Sequence, residues 1–224
     1  MSKISVLMSV YKKENPEYLR ASLESILVQT RTADEILLIE DGPLTQELYQ
    51  VVAEYQKKCD YLHVHAMEQN VQLGRALAKG VELCQYDLIA RMDTDDIAMP
   101  DRLEKEEAYM EAHPEVDVVG GAIREFNDEG TIDRVKNMPK TQEEILEYVK
   151  VRNPLNHMTV MYRKDSILKA GNYKHFPFLE DYSLWSRMLS QGYQFRNMED
   201  ILVRARTSMG LVKRRSGWAY YKDF

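Results

Sequence analysis

The sequence predicts an α/β protein, a mostly parallel sheet covered by helices and folded as one compact domain. Strand-sized apolar runs alternate with helix-spaced ones across the first 112 residues, and the alternation breaks after residue 116. The apolar runs also end at acids or turn residues, as strands do where they leave a sheet. Residues 4–11 form the first apolar run. Residues 16–29 open at Pro16, whose fixed φ and missing N–H suit a first helical turn, and set Leu19, Leu23, Ile26 and Leu27 at helical spacing. A second strand at 35–40 stops at Asp41-Gly42-Pro43, a turn signal. Helix 46–58, strand 62–66, helix 73–84, strand 86–92 and helix 100–112, closed by Pro114, complete a βαβαβαβα series. Such a series needs right-handed crossovers that cover both faces of a parallel sheet. Beyond it the pattern reads as strand 116–125, a turn at Asn127-Asp-Glu-Gly130, return strand 131–136, helix 142–151, strand 159–162 and helix 182–191.

With 224 residues the chain can build one substantial core. No apolar run is long enough to predict a membrane span, and residues 3–11 come too early and are too few for a signal peptide. Cys59 and Cys84 lack metal-ligand spacing, so reduced structural thiols in a cytoplasmic protein are expected. A net charge of −6 argues against nucleic acid as the main partner. The charge is uneven, however. Residues 204–224 hold six cations and one anion, a net +5, which leaves −11 for the rest. Trp218, Tyr220, Tyr221 and Phe224 are interleaved with these cations. This basic, aromatic tail (207–224) suggests an anionic membrane surface or another polyanion, with a solvated terminal helix as the alternative.

Three carboxylates, Asp93, Asp95 and Asp96, end the strand at 86–92. Parallel sheets place ligands beyond the carboxyl ends of their strands, and clustered acids repel unless a cation or donor-rich ligand joins them. A hard divalent ion, Mn²⁺ or Mg²⁺, fits; a solvated loop with Asp96 or Asp101 capping the next helix is the alternative. Asp41 ends a neighbouring strand and would face the same crevice, either to accept from a base or ribose or merely to start a turn. Glu180-Asp181 opens an amphipathic helix beside Phe176, Phe178 and Trp185, where burial would raise a carboxylate pKa toward that of a general base. Asp181 as an N-cap would account for one acid but not both. His157, just before a strand, either lines the pocket or is structural. No G-x-x-x-x-G-K-[ST] loop, G-x-G-x-x-G turn or G-x-S-x-G elbow occurs, so phosphates would not be wrapped by a glycine-rich loop.

Taken together these pieces resemble the family 2 glycosyltransferases, inverting enzymes with the Rossmann-like GT-A fold. Val6-Leu-Met-Ser9-Val-Tyr11 resembles that family's first strand, with Lys12 where Asn is usual. Leu38-Ile-Glu-Asp41-Gly42 is similar to its V-D-D-G-S turn, and Asn70-Val-Gln-Leu-Gly74-Arg-Ala to its N-x-G-x-x-x-A segment displaced by one residue. Asp93-Thr-Asp95-Asp96 matches D-x-D-D, Pro100-x-Arg-Leu103 its sequel, and Glu180-Asp181-x-x-Leu-Trp185 its E-D-x-x-L-W helix. The segments 153–164 and 171–181 resemble the AmsE-like bacterial branch, which extends lipid-linked repeat units of exopolysaccharide or capsule and is often taken to use UDP-galactose.

The resemblance implies a domain over 1–206, with a nucleotide-binding half (about 1–115) and an acceptor-binding half (116–206). It implies a UDP-sugar donor, a divalent ion on Asp93, Asp95 and Asp96, with Asp93 also toward the donor, and uridine contacts from Ser9, Tyr11 and Asp41. Arg75 would bind the donor, and Arg204 and Arg206 would bind the leaving diphosphate, with a surface ion pair as the alternative for the last two. Asp181, or Glu180 one residue earlier, would be the base, with His157 and Trp185 on the acceptor side. The acceptor would be a saccharide on a polyprenyl diphosphate, and peripheral contact with the membrane would follow. Two rivals stand beside this reading. A sugar-1-phosphate nucleotidyltransferase would want a Gly- and Arg-rich loop after the first strand, where Lys12-Lys-Glu-Asn-Pro16 has no glycine. A non-enzymatic acidic-pocket receiver or carbohydrate-binding module would leave Glu180-Asp181 idle.

Overall fold

The computed structural model describes residues 1–207. Its first half runs β1 (Ile4–Val10), α1 (Pro16–Leu27), β2 (Glu35–Glu40), α2 (Gln46–Lys58), β3 (Leu62–Ala66), α3 (Leu73–Leu83) and β4 (Leu88–Met92). The second half adds β5 (Ile97–Ala98), α4 (Arg102–Ala112), β6 (Val118–Phe126), β7 (Asp133–Lys136), α5 (Gln142–Tyr148), β8 (Met161–Arg163), α6 (Lys164–Lys169), α7 (Glu180–Ser190) and β9 (Phe195–Arg206). One sheet holds all of these strands in the order β3-β2-β1-β4-β8-β6-β9-β5, with β7 paired to β6. Pairing is parallel from β3 to β4; β8 then enters antiparallel, and β6 and β9 run parallel to each other.

Strand alternation divides the core between the two faces. Ile4, Val6, Met8, Ile36 and Leu38 point to one side and pack with Leu19, Leu23 and Ile26 of α1, Val51 and Tyr55 of α2, and Leu103 of α4. Leu7, Leu37, Ile39 and Ile89 point to the other, against Leu77 and Val81 of α3 and Leu184, Trp185 and Met188 of α7. Local chemistry starts the helices: Asn15 accepts from the Glu17 N–H at 2.9 Å ahead of Pro16, and Thr141 and Glu144 form a reciprocal capping box on α5.

The sequence reading gives no range for four elements: β5, α6, a single 3₁₀ turn at His157–Thr159, and β9, whose pairing with β6 shifts register between Gly120 and Ile123. A two-residue strand or a six-residue helix is too short to show a period. Helix α4 starts at Arg102, and Asp101 at its N-cap position makes no side-chain cap; it pairs instead with Lys105 at 2.8 Å. Helix α7 starts at Glu180 with Leu179 as N-cap, so Asp181 is not a cap. Cys59 and Cys84 are both buried and unpaired. Among the described residues no helix is long and apolar enough to cross a membrane.

Candidate active site

The acids that end β4 come together. Ligand oxygens of Asp93, Asp95 and Asp96 lie within 4.8 Å of one another. Behind them, Arg102 donates to the Arg91 carbonyl at 2.8 Å and pairs with Glu106 at 3.0 Å, both side chains fully buried. Burial outweighs even that guanidinium and lifts Glu106 to about 7. Ser22 donates to the Asp93 carbonyl at 2.9 Å, and Thr94 to Glu14 at 2.7 Å, so the turn is held from the β1–α1 side as well. Asp96 accepts from the Arg206 N–H at 2.7 Å, which ties the turn to the end of β9.

Arg91 is the residue that the sequence reading missed. Alternation along β4 turns it away from Ala90 and Met92, toward the face of Tyr173 and Trp185, where it is 2% exposed. Its guanidinium grips Asp93 with both terminal nitrogens. Its charge also reaches Asp181 and His157, so one buried cation lies between the acid cluster and the helix of Glu180-Asp181. A lone arginine inside a buried strand, two residues before an acid, was the signal available.

The three acids therefore differ. Asp93 is neutralised by Arg91. Asp95 is lifted to about 7, by burial first and then by Asp93 and Glu14. Asp96 is raised well above the ordinary carboxylate range by burial and by both neighbouring carboxylates. Among the described residues, no other residue donates to the Asp95 carboxylate. Crowded, desolvated, hard oxygen donors of this kind fit a hard divalent cation, which would remove the repulsion.

Asp41 is buried, and its carboxylate accepts from Asn70 Nδ2 at 2.8 Å and the Val71 N–H at 2.6 Å. Burial raises its pKa, and the bonds from the 71–72 backbone oppose the rise. Gly42, at φ +82°, is needed here: a Cβ would stand 2.5 Å from the Asn70 nitrogen. The Asn70 motif thus fastens the α3 approach to the end of β2. Gly74 then lets α3 reach the second half, since a Cβ there would lie 2.6 Å from the Lys174 carbonyl oxygen and 3.0 Å from Glu180 Cβ.

Asp181 is 8% exposed and accepts from Asn153 Nδ2 at 2.6 Å and the Tyr182 N–H at 2.7 Å, with His157 Nδ1 at 3.9 Å. Burial raises its pKa against those donors, and Glu180 is raised by burial as well. His157 bonds the Tyr173 hydroxyl through Nε2 at 2.9 Å, and burial followed by Arg91 holds it well below its usual pKa, so it is neutral. Trp185 is 0% exposed and meets His157 edge-on at 6.1 Å, so it packs behind His157 and presents no open surface to a ligand.

Ser9 is half-buried and Tyr11 is exposed, both at the end of β1. Arg75 is exposed on the first turn of α3, and Arg204 is exposed with its guanidinium 4.5 Å from the Phe126 ring. Arg206 lies against Tyr18 at 3.9 Å, pairs with Asp128 and donates to the Asp95 carbonyl at 3.1 Å, so it braces the acid turn. The tail cations Lys213, Arg214 and Arg215 lie outside the described residues.

A parallel half whose strand-ending acids face a desolvated carboxylate at the start of a helix is the GT-A architecture of glycosyltransferases. The profile of glycosyl transferase family 2 matches residues 5–175, and the chain belongs to that family. Over 219 residues it is 43% identical to the amylovoran biosynthesis glycosyltransferase AmsE of Erwinia amylovora, covering 98% of this chain and 82% of that protein. Over 224 residues it is 35% identical to the UDP-Gal:alpha-D-GlcNAc-diphosphoundecaprenol beta-1,3-galactosyltransferase of Escherichia coli, covering 97% and 79%. The crystal structure of S. aureus TarS 1-349 in complex with UDP-GlcNAc matches with a TM-score of 0.76 at 19% identity, covering 99% of this chain and 64% of that one. At that identity the likeness speaks to the fold alone.

Proposed function

We propose that the chain is an inverting hexosyltransferase that moves a sugar, with galactose favoured, from a UDP-sugar to a saccharide carried on a polyprenyl diphosphate. The observation that carries this reading is the pairing of two desolvated acid centres across Arg91, one suited to a cation and one to a proton. The likeness to the E. coli enzyme named above supports both the donor and the lipid-linked acceptor. Asp93, Asp95 and Asp96 would hold Mn²⁺ or Mg²⁺, with Asp95 offering the least engaged carboxylate. When bound, the ion would neutralise the charge that develops on the departing diphosphate. Ser9, Tyr11 and Asp41 lie at the ends of β1 and β2, where uridine would sit. Arg75 and Arg204, both exposed, would serve the donor. Arg206 serves by bracing the acid turn.

At the other centre, Asp181 accepts the proton of the acceptor hydroxyl as the new bond forms. Asn153 and the Tyr182 N–H aim its two oxygens, and neutral His157 bounds the same space without competing for the charge. Glu180, whose pKa burial also raises and whose Cβ packs beside Gly74, stays the alternative base. No nucleophilic serine or cysteine is needed, because inversion forms no covalent sugar intermediate. A screen of UDP-sugars against polyprenyl-diphosphate-linked saccharides, read by UDP release with Mn²⁺ and with chelator, tests the proposal. Acceptor-dependent release that chelator abolishes is expected; pyrophosphate as the product would point to nucleotidyl transfer instead.

A further inference from the structure

Five consecutive residues, Lys174-His175-Phe176-Pro177-Phe178, are exposed just ahead of the helix that bears Asp181. Phe178 is 77% exposed, Val151 76% and Phe176 52%; among the described large hydrophobics only Met1 exceeds the first two. Val151 stands between exposed Lys150 and Arg152 in the segment after α5. That segment is fastened to the start of α7 by Asn153 on Asp181 at 2.6 Å and by the Tyr182 hydroxyl on the Val149 carbonyl at 2.5 Å. The segment 150–152 and the aromatic segment 174–178 therefore both adjoin the start of α7, forming a rim beside Asp181.

Phe178 also has φ +66°, a conformation that a bulky residue rarely adopts. The strain is not offset by burial, because the ring is left in water. Neither 150–153 nor 174–179 contains a carboxylate, in a chain that is otherwise acidic, and Glu147 nearby is matched by Lys150 at 2.6 Å. Exposed aromatics beside cations match the chemistry of a bilayer interface, where rings enter the headgroup layer and cations meet lipid phosphates.

We infer that this rim is a membrane-docking surface, in which Phe176, Phe178 and Val151 enter an anionic bilayer while Arg152 and Lys174 face its phosphates. The inference deepens the proposed function and rests on it for its purpose: a lipid-linked saccharide leaves the bilayer beside Asp181 when this rim lies on the membrane. Docking, however, is measurable without any acceptor.

The experiment uses the full chain with phosphatidylglycerol vesicles and, separately, phosphatidylcholine vesicles. A fluorophore on Phe178→Cys reports the local environment, the two native cysteines being buried. Its emission should shift to the blue on phosphatidylglycerol and much less on phosphatidylcholine. Co-sedimentation of Phe176→Ser/Phe178→Ser should fall about tenfold or more, since each ring loses apolar transfer free energy. Transfer to a short-chain, water-soluble acceptor should be unchanged in that variant. An unshifted label together with wild-type sedimentation would overturn the inference and leave the tail as the sole anchor. So would normal vesicle binding with impaired transfer to the soluble acceptor, which would make the rings a saccharide platform. If the rim docks but no lipid-linked acceptor is used, the proposed acceptor fails and the docking stands.

Discussion

Asp95 condenses the electrostatics of the site into one side chain. With no ion present it holds its proton up to about 7, whereas the unfolded chain releases it near 3.8. Between those values the folded state binds the extra proton, so this group withdraws stability as pH rises and the loss is complete above about 7. Asp95→Asn should therefore be more stable than wild type in chelator at pH 8, and the advantage should shrink as pH falls and vanish at about pH 4 and below; thermal melts of both proteins check it. Mn²⁺ should reverse the order at pH 8, because the ion binds only the carboxylate form. Metal affinity should likewise climb with pH through about 7 and then level. A wild type that stays as stable as the variant in chelator at pH 8 would show that the cluster is solvated. The acid cluster itself was legible from the sequence, since the apolar run of β4 ends at Met92 and leaves all three carboxylates at the strand's carboxyl end. Arg91 was not: whether a strand arginine points into the core depends on what packs over it, and those side chains come from residues about 80 positions later.

The contact between α3 and the segment before α7 belongs to the scale of elements. Replacing a helical glycine by alanine ordinarily stabilises by roughly 0.5–1 kcal/mol. At Gly74 the new Cβ would meet the Lys174 carbonyl oxygen at 2.6 Å, and backbone cannot yield as a side-chain tip does. Overpacking of this kind costs about 1–3 kcal/mol, so the clash should win. Gly74→Ala is expected to lower the melting temperature and to lower kcat more than it weakens UDP binding, since the displaced residues lead to Asp181. Steady-state kinetics and UDP calorimetry on the same preparation separate the two effects, and an unchanged kcat would show that α3 does not set the register of the catalytic helix. Strands and helices of the first half were readable because each buries one long periodic face. Elements β5 and α6 owe their form to neighbours: Ile97 and Ala98 extend only because β9 lies alongside, and such pairing leaves no local period.

At the scale of the whole molecule, the sheet joins two chemistries that the chain encodes separately. The acid cluster sits at the end of parallel β4, while β8 and β6 carry the chain over to the helix of Asp181. A ligand that spans the donor side should stabilise the whole sheet. UDP with Mn²⁺ at about a hundred times Kd contributes about 2.7 kcal/mol, worth roughly 5–10 °C in a chain of this size. Chelator should remove that shift. The antiparallel insertion of β8 was not legible, because strand order depends on long-range pairing that no local pattern reports. The most direct measurement is single-turnover transfer by Asp181→Asn, compared with its UDP affinity in the presence of Mn²⁺. UDP affinity within about twofold of wild type, with transfer slower by roughly two to four orders of magnitude, is the predicted result. Transfer within a few-fold of wild type, or a parallel loss of UDP binding, would contradict the division of labour between the acid cluster and the buried base.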